Sequence, residues 1–287
     1  MKIGKYEIGG ANPTFVIAEI GINHNGNVDL AKELIAAAKK AGCDAVKFQK
    51  RTVEVVYTPE ELAMPRENPF GPTNGDLKRG LELSMEAYEE IDRFCRERDI
   101  LWFASPWDEG SVDFLERFNV LVHKIAAASL TDAGLLKKIK ATGKPVVLST
   151  GMSEMNEIDA AVKLLDKGNL ILMHCVSQYP AKAENINLRA MNTLADRYGT
   201  LVGYSGHELD TVLSAVAVGM GARVIERHFT LDRDMWGSDH KASIIPVEME
   251  TLVKNIRLVE QALGSPEIRR LPVEVPVMEK LRRVNSL

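Results

Sequence analysis

Apolar and polar positions alternate along this chain in blocks. Eight short runs are almost continuously apolar and rich in β-branched residues. They are FVIAEIGIN from Phe15, AVKFQ from Ala45, ILWFASP from Ile100, VLVHKIA from Val120, PVVLSTG from Pro145, LILMHCVSQYP from Leu170, LVGYSGH from Leu201 and VIERHF from Val224. Runs of that length and texture predict strands buried on both faces. Between them the apolar positions recur three and four apart. Leu30, Leu34, Ile35 and Ala38 share one helical face, and Ile158, Ala161, Val162 and Leu165 share another. Asn27 and Asp29 mark the start of the first helix and Gly42 its end, and a closing helix over 247–263 stops at Gly264.

Strands that alternate with helices predict a parallel sheet. An open, doubly wound sheet is one solution. The count of eight strands, and the lack of a glycine-rich dinucleotide loop after the first, favour a closed (β/α)8 TIM barrel over residues 1–263. An N-terminal hairpin over 3–8 is expected to plug its bottom. Two segments break the alternation. Residues 51–84 hold Pro59, Pro65, Pro69, Gly71, Pro72, Asn74 and Gly75 and read as a long lid or binding loop. The tail, 264–287, is proline-interrupted and basic near its end; it is expected to pack along the barrel or to be a linker stub.

Composition changes the picture little. Apolar content of 45% and charged content of 26% suit a soluble globular protein. A net charge of −4 argues against nucleic acid or an anionic membrane as partner, but leaves small anionic ligands open. No apolar run approaches the roughly 18 residues of a membrane span, and MKIGKYEIGG is not a signal peptide. A cytoplasmic protein is expected. Cys43, Cys95 and Cys175 are scattered in apolar surroundings, which reads as buried reduced thiols.

In such a barrel the chemistry sits at the C-terminal strand ends. Those ends carry Glu19 with Asn23 and His24, Lys47 with Gln49, Ser105 and Asp108, Lys124, Ser149 and Thr150, His174 with Ser177 and Tyr179, Ser205 with His207, and Glu226 with His228. Ionisable groups inside buried strands are costly unless paired or bound to a ligand, and here almost every strand has one. His207 and His228 fall on neighbouring strands, with Asp239 on the loop that follows. Two imidazoles suit a divalent metal with open positions. Lys47 and Lys124 face one mouth and with Ser149 and Ser205 suit a phosphate and a carboxylate. A Schiff-base lysine is the competing reading. His174 reads as structural or supporting; His24, His123 and His240 stay open, with His24 placed nearest substrate.

The motifs AEIGINHNG, DAVKFQ, ASPWD, VVLSTGM, MHCVSQYP, GYSGHE and VIERHFTLD, in order and in register over 15–246, resemble the sialic acid synthase family. The resemblance implies a (β/α)8 barrel that condenses phosphoenolpyruvate with a six-carbon aldose, typically N-acetylmannosamine, and releases phosphate. It implies Mn2+ or Mg2+ held by His207 and His228, and a homodimer or higher homo-oligomer. It further implies that Lys47 and Lys124 grip the phosphoenolpyruvate carboxylate and that Ser149 and Ser205 bind its phosphate. Glu19, Tyr179 and Asp239 contact the sugar, and Ser177 stands where some members have an asparagine at phosphoenolpyruvate. Asn23, His24 and Gln49 complete the expected substrate-binding set.

Three features depart from the family. The fourth strand often ends KIPSGE and here reads KIAAAS, so Ala127 replaces a serine and Ser129 a glutamate expected at the attacking water. The chain ends at RRVNSL, about where the family's C-terminal antifreeze-like domain begins, so a short form is expected. The loop after strand eight carries Trp236, expected to shape the sugar pocket. The acceptor therefore stays open among N-acetylmannosamine, the precursors of Kdn, legionaminate or pseudaminate, and a sugar phosphate. A non-catalytic barrel that binds sugar or phosphoenolpyruvate is the remaining alternative.

Overall fold

Each of the eight apolar runs forms a strand: β1 (Phe15–Gly21), β2 (Ala45–Lys50), β3 (Leu101–Pro106), β4 (His123–Ile125), β5 (Val146–Ser149), β6 (Leu170–Cys175), β7 (Leu201–Gly206) and β8 (Val224–His228). The structure is a computed structural model and describes residues 1–284. Every ladder in this sheet is parallel, in the order β3-β2-β1-β8-β7-β6-β5-β4. The terminal strands β3 and β4 lie against each other and complete a (β/α)8 barrel, with no ladder recorded between them among the described residues. Both faces of the sheet are covered, so the strands are buried almost throughout, as their continuous apolar texture requires.

The strands are shorter than the runs that announced them. Gly21 ends β1, where φ is +55° and an added Cβ would sit 3.1 Å from Glu19 Oε1 and 3.2 Å from Gln49 Nε2. The left-handed turn and the crowding both demand glycine there, and Asn23 and His24 fall in the turn beyond. β4 is only three residues long.

The N-terminal hairpin pairs Lys2–Ile3 with Tyr6–Glu7. It lies beneath the N-terminal strand ends: Gly4 meets Leu101 and Leu121, Gly9 meets Leu201, and Ile3 and Ile8 are buried. The helix Val28–Lys40 starts where the Asn27 side chain accepts from Asp29 N and Leu30 N, which satisfies two of its free amides. Pro246–Leu263 packs against that helix and against Val212–Gly219. All three cysteines are buried and free, as expected.

Residues 51–84, expected as a long lid or binding loop, carry secondary structure of their own. They fold into three short helices, Val53–Val56, Pro59–Ala63 and Asn74–Gly80, and a hairpin of Pro65–Asn68 with Gly71–Thr73. Reciprocal caps hold the second and third helices, Thr58 with Glu61 and Thr73 with Asp76. The excursion docks on the turn after β1. Gly26, at φ +73°, approaches so closely that an added Cβ would lie 2.0 Å from Gly80 O. The Phe70 ring covers Gly80 and meets the Trp236 ring edge-on, with centroids 6.0 Å apart.

The tail does not pack along the barrel in the described residues. It runs out exposed after Gly264, with a short helix at Val275–Leu281. Residues 285–287, the end of the predicted tail, lie outside the described residues. No helix among the described residues is long and apolar enough to cross a membrane.

Candidate active site

A cavity of about 380 Å³ opens at the C-terminal strand ends. At its floor Lys47 from β2 and Lys124 from β4 converge on Glu226 from β8. Lys47 Nζ lies 2.6 Å from Glu19 Oε2 and 3.9 Å from Glu226 Oε1; Lys124 Nζ lies 3.7 Å from the same Glu226 oxygen. Lys124 also donates to Ser149 Oγ at 2.6 Å and Lys47 to Ser105 Oγ at 3.1 Å. Ser205 Oγ donates to Glu226 Oε1 at 3.2 Å, and Gln49 Nε2 donates to Glu19 Oε1 at 3.3 Å. All four charged side chains are buried.

Their protonation follows from that burial. Desolvation raises the Glu19 carboxyl, and repulsion from Glu226 adds to it, so the Lys47 ammonium only partly offsets the rise. Burial also acts to raise Glu226, but Lys124 and Lys47 together outweigh it and hold the carboxyl below its usual range. Lys124 is lowered by burial, with Glu226 opposing. Two carboxyls of one site are thereby set apart, one kept ionised and the other drawn toward neutrality, as acid–base work requires.

On the other wall stand His207, just past the end of β7, and His228 at the end of β8, with ring centroids 5.4 Å apart. The Tyr179 ring lies 4.2 Å from that of His207. Burial pushes His207 down to about 4, and the neighbouring His228 adds to the shift. Burial lowers His228 as well. Both imidazoles are therefore neutral and able to ligate. His207 Nδ1 lies 2.7 Å from the Val176 carbonyl, which must accept its proton and leaves Nε2 with the lone pair. His228 Nδ1 and Glu226 Oε2 are buried with no hydrogen-bond partner, and Asp239 Oδ2 lies 4.0 Å from His228 Nδ1. Two neutral imidazoles with an unpartnered nitrogen fit a divalent cation. Among the described residues no group of three or more His, Cys, Asp or Glu side chains is arranged to hold a metal ion.

Of the residues expected from sequence, Glu19, Lys47, Gln49, Lys124, Ser149 and Ser177 all line this cavity. So do Tyr179, Ser205, His207, His228 and Asp239. Asn23 and His24 do not. Asn23 is buried and its amide donates to the Phe229 carbonyl and to Ser243 Oγ, both at 2.9 Å, so it ties the first turn to the loop after β8. His24 is buried against Phe48, and its Nδ1 accepts from Gly26 N at 3.1 Å. Both side chains are consumed in shaping the turn beyond Gly21. Trp236 is also absent from the cavity wall; it packs on Phe70. His174 is structural, with Nε2 2.6 Å from the Ile186 carbonyl.

Glu226, named with His228 at the end of its strand, was given no role by the sequence reading, although it shares a face with His228 two residues on. Arg227 faces outward, where Glu208 at 3.1 Å and Ser214 at 3.0 Å bind it. At the end of β4 the cavity wall is apolar: Ala126, Ala127 and Ala128 line it, while Ser129 is buried and absent from it.

Known proteins of the same fold and family resemble this chain over nearly its whole length. The pattern of the NeuB family matches residues 34–268. The human N-acetylneuraminate-9-phosphate synthase is 40% identical over 279 residues, which span 96% of this chain and 78% of that protein. The N,N'-diacetyllegionaminic acid synthase of Legionella pneumophila is 40% identical over 289 residues, 97% of this chain and 81% of that one. A crystal structure of an N-acetylneuraminic acid (sialic acid) synthetase from Leptospira borgpetersenii, in complex with citrate, superposes with a TM-score of 0.86 at 30% identity, covering 99% of this chain and 98% of that one. With the barrel in place and these matches spanning nearly all of it, the chain belongs to the NeuB family of carbon–carbon bond-forming transferases.

Proposed function

We propose that this enzyme condenses phosphoenolpyruvate with the open-chain aldehyde of N-acetylmannosamine or a related hexose, giving a nine-carbon 2-keto-3-deoxy acid and phosphate. The observation that carries the reading is the convergence of Lys47 and Lys124 beside two neutral imidazoles in one cavity. The lysines grip the enol phosphate's carboxylate, and Ser149, Ser177 and Ser205 hold its phosphate. The methylene carbon attacks the aldehyde carbon, the new C–C bond forms, and the aldehyde oxygen takes a proton. Water then adds at the phosphate-bearing carbon, and the C–O bond to phosphate breaks to leave the ketone.

A divalent cation, Mn2+ or Mg2+, held by His207 and His228, would supply Lewis-acid polarisation of the aldehyde. Tyr179 and Asp239 orient the sugar beside those rings. Glu19, raised by burial, is suited to give the proton that the aldehyde oxygen needs. The alanine wall at 126–128 offers no carboxylate for the water, so that duty falls to the Glu19–Glu226 pair.

Phosphate release from phosphoenolpyruvate, measured with a panel of hexoses and divalent cations, tests the reading. His207→Ala and His228→Ala should each abolish it. Full activity in either variant, or in excess chelator, refutes the metal-assisted route.

A further inference from the structure

Behind the two imidazoles, outside the cavity, lies a buried ion pair with no part in the condensation. Arg227 precedes His228 and Glu208 follows His207, and their charged ends meet at 3.1 Å. The Arg227 side chain is 1% exposed and that of Glu208 5%. Neither residue lines the cavity. A guanidinium so deeply buried is costly unless its donors and its charge are met. Here both are. Arg227 Nη1 lies 3.1 Å from Glu208 Oε1, 2.9 Å from the Asp210 carbonyl and 3.0 Å from Ser214 Oγ, while Nη2 donates to the Glu208 carbonyl. The second Glu208 oxygen accepts from the Tyr204 hydroxyl at 2.8 Å. The carboxylate folds back over Gly206, where an added Cβ would lie 2.8 Å from both of its oxygens.

The β7–β8 ladder stops short of the imidazoles. Its rungs run from Tyr204 opposite Ile225 to Gly206 opposite Arg227, and none follows among the described residues. His207 and His228 each stand one residue beyond the last rung. His228 is held from the β1 side, opposite Glu19. His207 is held from the β6 side, by the Val176 carbonyl at its ring and by Ala181 N, which donates to its carbonyl at 3.0 Å. Each ring is thus tied to a different neighbour, and no rung of their shared ladder fixes one against the other. The Arg227–Glu208 contact crosses that gap. It joins the residue before one imidazole to the residue after the other, and anchors both to Tyr204 on β7 and to Ser214 on the helix Val212–Gly219. It also neutralises a guanidinium that would otherwise stand unpaired behind a cation site.

We propose that Arg227 and Glu208 are a positioning pair: they set the separation of the His207 and His228 rings, and through it the affinity of the site for a divalent cation. This rests on the cation site of the function proposed above and names what holds that site in shape. Partners behind the ligating rings act through the rings and touch neither the cation nor the substrates.

Binding of Mn2+ alone, followed through the electron paramagnetic resonance of the free ion, reads the site without turnover. A buried ion pair replaced whole by apolar side chains is often tolerated, so the double variant Glu208→Leu, Arg227→Met should fold and melt close to the wild type. Its Mn2+ affinity should fall about tenfold or more, as it does when a partner that orients a ligand is lost. Affinity for phosphoenolpyruvate, titrated calorimetrically in chelator, should stay within about twofold, because Lys47 and Lys124 share no partner with the pair. Arg227→Lys keeps the charge but cannot reach Glu208, the Asp210 carbonyl and Ser214 together, and should lose Mn2+ affinity to a similar degree. Full Mn2+ affinity in the folded double variant, or in Arg227→Lys, overturns the proposal. So does a loss that falls equally on phosphoenolpyruvate, which a general loosening of the barrel would produce. Mn2+ binding that survives His207→Ala and His228→Ala unchanged would bring down the cation site and the metal-assisted route with it. A site that needs both histidines but is indifferent to Arg227 and Glu208 would bring down the positioning pair alone.

Discussion

Glu226 is the charge on which the cavity floor turns, and its coupling to Lys124 can be worked out and measured. The two groups lie 3.7 Å apart, both buried. At an effective dielectric of about 20 the attraction at that distance is roughly 4–5 kcal/mol before desolvation is charged against it. Removing one partner of such a pair leaves the other uncompensated, which costs about 3–5 kcal/mol. Glu226→Gln and Lys124→Met should therefore each destabilise the protein by that order. The double variant should be far less damaged than the sum, because each substitution removes the other's orphan. Lys47, 3.9 Å from the same oxygen, will keep part of the Glu226 charge compensated, so the coupling should come to about 2–3 kcal/mol rather than the full attraction. Urea unfolding of the wild type, both single variants and the double at pH 7.5 closes the cycle. Additivity to within about 0.5 kcal/mol, the value for independent sites, would refute the electrostatic account of this floor.

Two further outcomes follow from the geometry. His24 is held neutral by burial, its pKa pushed down to about 3. A histidine depressed in the folded state gives stability that is complete above its unfolded pKa and is lost as pH falls toward the folded one. Between pH 7 and pH 5 the loss from His24 alone should be about 2 kcal/mol. His24→Gln should flatten the pH dependence of urea unfolding by that amount, and an unchanged slope would contradict it. Gly26→Ala places a Cβ on the Gly80 carbonyl in a left-handed conformation, and should cost about 2–4 kcal/mol while loosening the 51–84 excursion. Limited proteolysis should cut that excursion faster in the variant; unchanged cutting and unchanged melting would show that the docking is not as tight as the backbone implies.

Sequence texture disclosed the architecture because barrel strands are buried on both faces and leave no alternation to misread. It disclosed most of the cavity because the barrel fixes which end of each strand bears chemistry. It failed where a polar side chain serves backbone instead of ligand. Asn23 and His24 look like strand-end site residues until Gly21 is seen to turn the chain, after which their partners are the Phe229 carbonyl and the Gly26 amide. Glu226 was placed at its strand end but given no role, because its partners Lys47 and Lys124 come from strands far away in sequence and only the fold brings the three together. The short helices inside the excursion went unread behind its prolines and glycines, although Thr58 to Glu61 and Thr73 to Asp76 are spaced as helix-starting caps. The exposed tail carries isolated apolar residues with no period, and its pattern offered no basis for placing it.

The unladdered boundary between β3 and β4 has a bearing on how the enzyme holds its anion. Lys124 rides on the shortest stave, one that is stitched to β5 on a single side. The amides along its free edge should exchange with solvent sooner than those of β1 or β6, which are stitched on both sides. An anion that bridges Lys124 to Lys47 would span this boundary from within, and so act as the missing stitch.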